Sequence, residues 1–280
     1  MNAQAIVSAV RQLPSPSPAI SRLLELLQDP EGSHEEVIDV VKQDAVLTAK
    51  VLQRCNAAAE YRTQPVGSVN QAVFLLGYRK IFQMVMSLSF GNTLQRGLPG
   101  YALEPGDLWR HSLLTALLSE SLAAQSTLTV LPSIAYTAAL VHDIGKTVLD
   151  QVLDPQLLEA VRREAESGDT TWLLAEQTVL RTDHSEVGAC LLKRWNFPEN
   201  IIEAVEHHHQ PIIAPQPQLS ALVHVANGLA LDVDQGSPQH SPAPQGSTAE
   251  AVGLNLEHIA RSLMAASDRL QEIEQLAAVA

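Results

Sequence analysis

The chain is 280 residues long, 46% hydrophobic and 4% aromatic, with a mean hydropathy of +0.03; it is long enough for one large domain or two ordinary ones, and too apolar to be generally disordered. Eighteen Lys and Arg against 31 Asp and Glu leave a net charge of −13, which argues against direct nucleic-acid binding and against anionic membranes. The imbalance is uneven: residues 1–100 carry nine basic and eight acidic side chains, residues 101–280 nine and 23. That split suggests an N-terminal unit over 1–100 and a second over 101–280.

Cys55 and Cys190 are isolated thiols with no paired motif, so neither a disulfide framework nor a zinc ribbon is expected, and a reducing compartment suits them. Met1–Val10 lacks the basic and apolar regions of a signal peptide. The stretch around Leu128–Val141 is interrupted by Pro132, Ser133 and Thr137 and is too short to span a bilayer. The expectation is a soluble cytoplasmic protein.

In chain order the signals are helical. Ile20, Leu23, Leu24 and Leu27 repeat at helical spacing after Pro14, Pro16 and Pro18, and Asp29-Pro30 ends that run. Ser33 and Glu36 form a capping box for the next helix. Val46, Leu47, Val51, Leu52 and Cys55 mark a third, ending near Asn56. Ser68 opens a fourth that Gly77 stops. A long helix over about 80–94 leads to Gly97-Leu98-Pro99-Gly100, a turn between units. Beyond it the pattern predicts helices near 107–124, 133–150, 155–167, 170–181, 185–195, 198–209, 217–233 and 255–278. Gln235–Ser247, rich in Pro, Ser and Gly, reads as a mobile surface loop. Period-two alternation is almost absent, so the expected class is all-α, a multi-helix bundle.

The histidines are the informative residues. His142-Asp143 closes a helix and is followed by Gly145, which permits a tight turn, and Lys146; imidazole and carboxylate together suit Zn, Mn or Fe. His111 shares a stripe with Leu114, Leu118 and Leu122 and so points inward. Ala138 and Ala139 lie one turn before His142 and are small enough to admit a neighbouring helix. His184 follows Asp183 at a helix start. Ile201, Ile202 and Val205 define a buried face that continues to His208 and His209 and leaves His207 aside.

Each of these has a plainer explanation. A histidine on an apolar stripe is commonly a hydrogen-bonded core residue, and His34, His224, His240 and His258 are assigned to that class or to simple exposure. Residues 207–209 could be a solvated helix end, and Asp143 could simply pair with Lys146.

The ordered motifs nevertheless resemble the bacterial HDOD family, signalling relatives of the HD-domain metal-dependent phosphohydrolases. They run from Leu13-Pro14 and Gln43-Asp44 through Ser68…Gly77, Trp109…Ser112, Leu140…Lys146, Asp183…Gly188 and Ala204-Val205…His208-His209-Gln210-Pro211. The likeness spans roughly 10–230 and implies an N-terminal helical part packed on an HD-like domain. It also implies one metal at His111, His142 and Asp143, and a second at His184, His208 and His209 with Asp143 bridging. Lys146 would then stand beside a phosphate. The position of the last HD carboxylate falls on Asn227, a neutral donor, and Pro211-Ile212-Ile213-Ala214-Pro215 replaces the Gly-Tyr-Pro segment of the related cyclic-di-GMP phosphodiesterases.

Two functions follow as expectations. The first is a regulatory output or interaction module of bacterial signal transduction, as in response regulators, that works through a signalling protein partner. The second is an active phosphohydrolase on a nucleotide or cyclic dinucleotide, with Asp143 and Lys146 catalytic and a divalent Fe, Mn or Zn ion as cofactor.

Overall fold

The computed structural model of the chain describes residues 2–10, 13, 15–28, 34–57, 65–167, 170–233, 249 and 253–278. The helices are α1 (Ala3–Ala9), α2 (Pro18–Gln28), α3 (His34–Gln43), α4 (Ala45–Ala57), α5 (Val69–Leu76) and α6 (Tyr78–Leu94). After a 3-10 turn at Pro99–Tyr101 come α7 (Asp107–Gln125), α8 (Pro132–Val141), α9 (Ile144–Val152), α10 (Pro155–Ala165), α11 (Trp172–Leu180), α12 (His184–Arg194) and α13 (Glu199–Glu206). A second 3-10 turn at Pro211–Ile213 precedes α14 (Pro217–Val233) and α15 (Leu256–Ala278). No strand occurs among the described residues, only an isolated bridge between Leu98 and Leu103, so the protein is all-α as the periodicity implies. None of the described helices is long and apolar enough to cross a membrane.

The helix starts are chemically explicit. Ser68 caps α5 by accepting from the Gln71 N–H, Asp154 caps α10 ahead of Pro155, and Thr171 caps α11. Gly77 sits at φ +80°, a left-handed conformation that ends α5 and turns the chain directly into α6. The proposed Ser33 capping box, the Asp29-Pro30 stop and the 235–247 loop lie outside the described residues. The short helix α1 carries no strong sequence signal, yet its Ile6 and Val7 are buried. It packs on α9 and α12, where Arg194 donates to the Val7 carbonyl at 2.9 Å.

Helix α7 is the axis of the larger half, with α8, α14 and α15 against it. It is buried over most of its length from Leu108 to Ala123, which is why its polar residues need partners inside the protein. The single predicted helix over 133–150 is two: α8 ends at Val141, His142 and Asp143 form the corner, and α9 leaves from Ile144. Packing explains the break, since α8 lies against α7 whereas α9 must lie against α12.

A second buried polar feature ties three helices together. The Glu120 carboxylate of α7, 1% exposed, accepts from Arg79 Nε at 2.7 Å, from Gln83 Nε2 at 2.5 Å and from Arg269 Nη1 at 2.9 Å. Arg79 and Gln83 belong to α6 and Arg269 to α15, so one carboxylate clamps the C-terminal helix onto the bundle. A carboxylate stripped of both guanidinium partners is costly, whereas the arginines left behind by its neutralisation retain partial solvent. Urea unfolding should therefore rank the variants. Glu120→Gln is expected to cost about 1–3 kcal/mol, and the double variant Arg79→Met, Arg269→Met about 3–5 kcal/mol.

Candidate metal centre

The corner between α8 and α9 places Asp143, 2% exposed, at the middle of the histidine cluster. His111 comes from α7, His142 from the end of α8, His184 from the first residue of α12, and His208 and His209 from the turn after α13. The predicted helix over 198–209 stops at Glu206, so the His pair lies on a turn and not on a helical face. His208 is buried and His207 and His209 are half-buried; His208 and His209 fall in a group of possible ligands that does not include His207. Asn227 of α14, also buried, lies beside His111.

The two oxygens of Asp143 face different ways. Oδ2 accepts from Lys146 Nζ at 2.7 Å and stands 3.4 Å from His142 Nε2 and 3.8 Å from His111 Nε2. Oδ1 lies 3.3 Å from His184 Nε2 and 3.9 Å from His208 Nε2. His184 Nε2 and His209 Nε2 are 2.9 Å apart. The result is two abutting triads, His111–His142–Asp143 and His184–His208–His209, whose donor atoms within each lie within 4.8 Å of one another.

The far side of each ring fixes which nitrogen faces inward. His142 Nδ1 lies 2.7 Å from the Ala139 carbonyl and His208 Nδ1 2.7 Å from the Val205 carbonyl. A carbonyl oxygen only accepts, so both Nδ1 atoms carry the proton and both Nε2 lone pairs point into the cluster. Glu176 does the same for His184: its Oε2 accepts from His184 Nδ1 and from the His184 backbone N–H, each at 2.7 Å. Tyr101 Oη donates to the other oxygen, Oε1, at 2.7 Å. His224 Nδ1 donates to the His208 carbonyl at 2.8 Å, steadying the turn.

The Asp183 side chain caps α12 by accepting from the Ser185 and Glu186 N–H groups, and it thereby sets the position of His184. Gly145 is required for close approach and not for a turn. A Cβ there would sit 1.9 Å from the His184 carbonyl oxygen and 2.8 Å from the Gly188 nitrogen. This contact holds α9, with Asp143, against α12, with His184.

Burial and charge set the protonation states. His111 is pushed down to about 3, first by burial and then by His142. Burial likewise lowers His142, and it lowers His208 and His209 well below the ordinary histidine value. Burial opposes ionisation of Asp143, but His142, Lys146 and His184 together hold it well below the usual carboxylate range. His184 is lifted to about 9 because Glu176 and Asp143 outweigh its burial. The cluster thus offers four neutral imidazoles around one ionised carboxylate, while His184 holds a proton between Glu176 and Asp143 that a bound cation would displace.

His142 Nε2, His208 Nε2, Asp143 Oδ1 and Asn227 Oδ1 are buried without a hydrogen-bond partner. Each such atom costs about 1–3 kcal/mol. Four of them converging with pre-oriented lone pairs fit a divalent cation, and both triads could hold one.

The sequence profile of the HDOD domain matches residues 13–211. The chain belongs to the HDOD family. An HDOD domain protein of unknown function from Geobacter sulfurreducens is 26% identical, with a TM-score of 0.72 over 99% of this chain and 95% of that one. A proposed signal transduction protein from Marinobacter aquaeolei VT8, 23% identical, shares the fold with a TM-score of 0.77, over 100% of this chain and 61% of that chain. An uncharacterised protein of Treponema pallidum is 25% identical over 210 residues; the matched region is 75% of this chain but only 39% of that longer protein.

Glu176 and Tyr101 escaped sequence reasoning. The available signal was an acidic residue inside the apolar helix Trp172–Leu180, eight positions before a histidine. Tyr101 had none, since it meets Glu176 from 75 residues away.

Two outcomes are expected in metal-free protein. Gly145→Ala should cost about 1–3 kcal/mol by forcing α9 off α12, read as a lowered urea midpoint. The histidines give an opposed pH profile. Between pH 3 and 6.5 the unfolded chain binds the proton that folded His111 refuses, so stability falls on acidification through that window. Between 6.5 and 9 folded His184 keeps a proton the unfolded chain has lost, so stability falls as pH rises. Unfolding midpoints measured from pH 5 to 9 should peak near pH 6.5, and a profile flat across both windows would contradict these assignments.

Proposed function

We propose that the chain is a regulatory module of bacterial signal transduction, built on an HD-type centre that holds a divalent cation without turning over phosphoesters at an enzymatic rate. The observation that carries this reading is Asn227: a buried neutral amide oxygen stands where the HD pattern places a second carboxylate. The His111–His142 side then has one anionic oxygen, and Lys146 already neutralises it. Hydrolysis at a two-cation centre uses the pair for Lewis acidity and for an acidified water. His111, His142 and Asp143 would hold one and His184, His208 and His209 the other, and a side with little net charge is a poor half of such a pair. The signalling reading implies a protein partner, for which the N-terminal helical unit over 1–100 supplies surface; Phe74 on α5, 88% exposed, supports that.

The second reading, a metal-dependent phosphohydrolase, draws support from the convergence of four histidines on Asp143, with His209 against His184, and from Lys146, an ammonium able to meet a phosphoryl oxygen beside it. Nucleotides, cyclic dinucleotides and simple phosphoesters, assayed with Mn2+ or Fe2+ supplied, separate the two readings. Turnover no higher than that of His142→Ala is expected, and turnover well above it would establish the enzyme. Independently, Asn227→Asp should increase the metal retained through purification, as measured by elemental analysis, because it restores a charged donor.

A further inference from the structure

The two triads differ in electrostatic surroundings although their donor atoms are similar. On the His111–His142 side the anionic donor is Asp143 Oδ2, and it is engaged by Lys146 Nζ at 2.7 Å. A dication bound to that oxygen would have an ammonium as its near neighbour, and Asn227 adds no charge to compensate. On the other side Asp143 Oδ1 has no hydrogen-bond partner and faces His184 at 3.3 Å and His208 at 3.9 Å. Behind His184 stands a further carboxylate, Glu176, fully buried. Its hydrogen bond to Nδ1–H raises the donor strength of the opposite nitrogen, the arrangement known to strengthen metal-bound imidazoles. His208 is backed by the Val205 carbonyl.

We infer that the centre is asymmetric: it takes a single divalent cation at His184, His208, His209 and Asp143 Oδ1, with Glu176 as the positioning residue, and Lys146 keeps the His111–His142 side free of a second. The inference rests on the reading of the cluster as a cation site and assigns that cation to one half of it. Lys146 acts here as a built-in counter-ion that takes the place of a metal on Asp143 Oδ2. Three imidazole nitrogens and one carboxylate oxygen form a donor set suited to Zn2+ and to Co2+ as its spectroscopic substitute.

The test is calorimetric titration of the chelator-stripped full chain with Zn2+, accompanied by Co2+ titration read from visible absorption. The unaltered chain should take up one equivalent. His209→Asn should weaken binding by about 30-fold and Glu176→Gln by about 10-fold. His111→Asn should weaken it far less, by about threefold. Glu176→Gln should also alter the Co2+ spectrum of the metal that remains bound, which a purely structural role would not do. Lys146→Met should admit a second equivalent, and the added change His111→Asn should remove it again.

A larger loss in His111→Asn than in His209→Asn would overturn the asymmetry, as would two equivalents in the unaltered chain. Either result would leave the cation-site reading standing. No uptake of Zn2+ or Co2+ by the unaltered chain would remove both.

Discussion

The structure depends on the burial of one ionised carboxylate. Asp143 lies at the corner between α8 and α9, and it is stable there only because other groups are delivered to it: an ammonium from its own helix and imidazoles from α7, α8, α12 and the turn after α13. Those elements share little sequence proximity. Much of the packing in the larger half can be read as the means of bringing them to one point. The central helix α7 presents His111, the α13–α14 connection presents His208 and His209, and the close passage of Gly145 across the His184 carbonyl joins α9 to α12.

A second layer of contacts gives this arrangement its direction. Backbone carbonyls of Ala139 and Val205 and the Glu176 carboxylate each accept from an Nδ1–H, so the inward nitrogens of His142, His208 and His184 are set by hydrogen bonds and not by chance rotation. Such orientation has no obvious purpose in a cluster that only fills space, because it leaves Nε2 atoms of His142 and His208 without partners. It does serve a group that accepts several lone pairs at once.

Legibility from the sequence followed the reach of each signal. Helical periodicity reports a face, so His111 could be turned inward from its spacing to Leu114, Leu118 and Leu122, whereas the same reading of His208 and His209 needs a helix over 198–209, and that helix stops at Glu206. Periodicity does not report partners. The end of a helix at His142-Asp143 was legible locally although the periodicity ran on over 133–150, but Gly145 reads only as a turn residue because nothing in the chain shows the α12 backbone it passes. Glu176 and Tyr101 remained hidden for the same reason: their pairing spans 75 residues, and a lone acidic side chain in an apolar helix does not name its neighbour. The Glu120 clamp is a further case, since Arg269 lies 149 residues away.

The central claim is that the cluster exists to hold a cation on Asp143. Its most direct test is an anomalous difference map at the zinc absorption edge, from crystals of the full chain grown with Zn2+. The account predicts a single strong peak in contact with Asp143 Oδ1 and the Nε2 atoms of His184, His208 and His209. A map without a peak in the cluster, with ordered waters bonded to His142 Nε2 and His208 Nε2 instead, would contradict it.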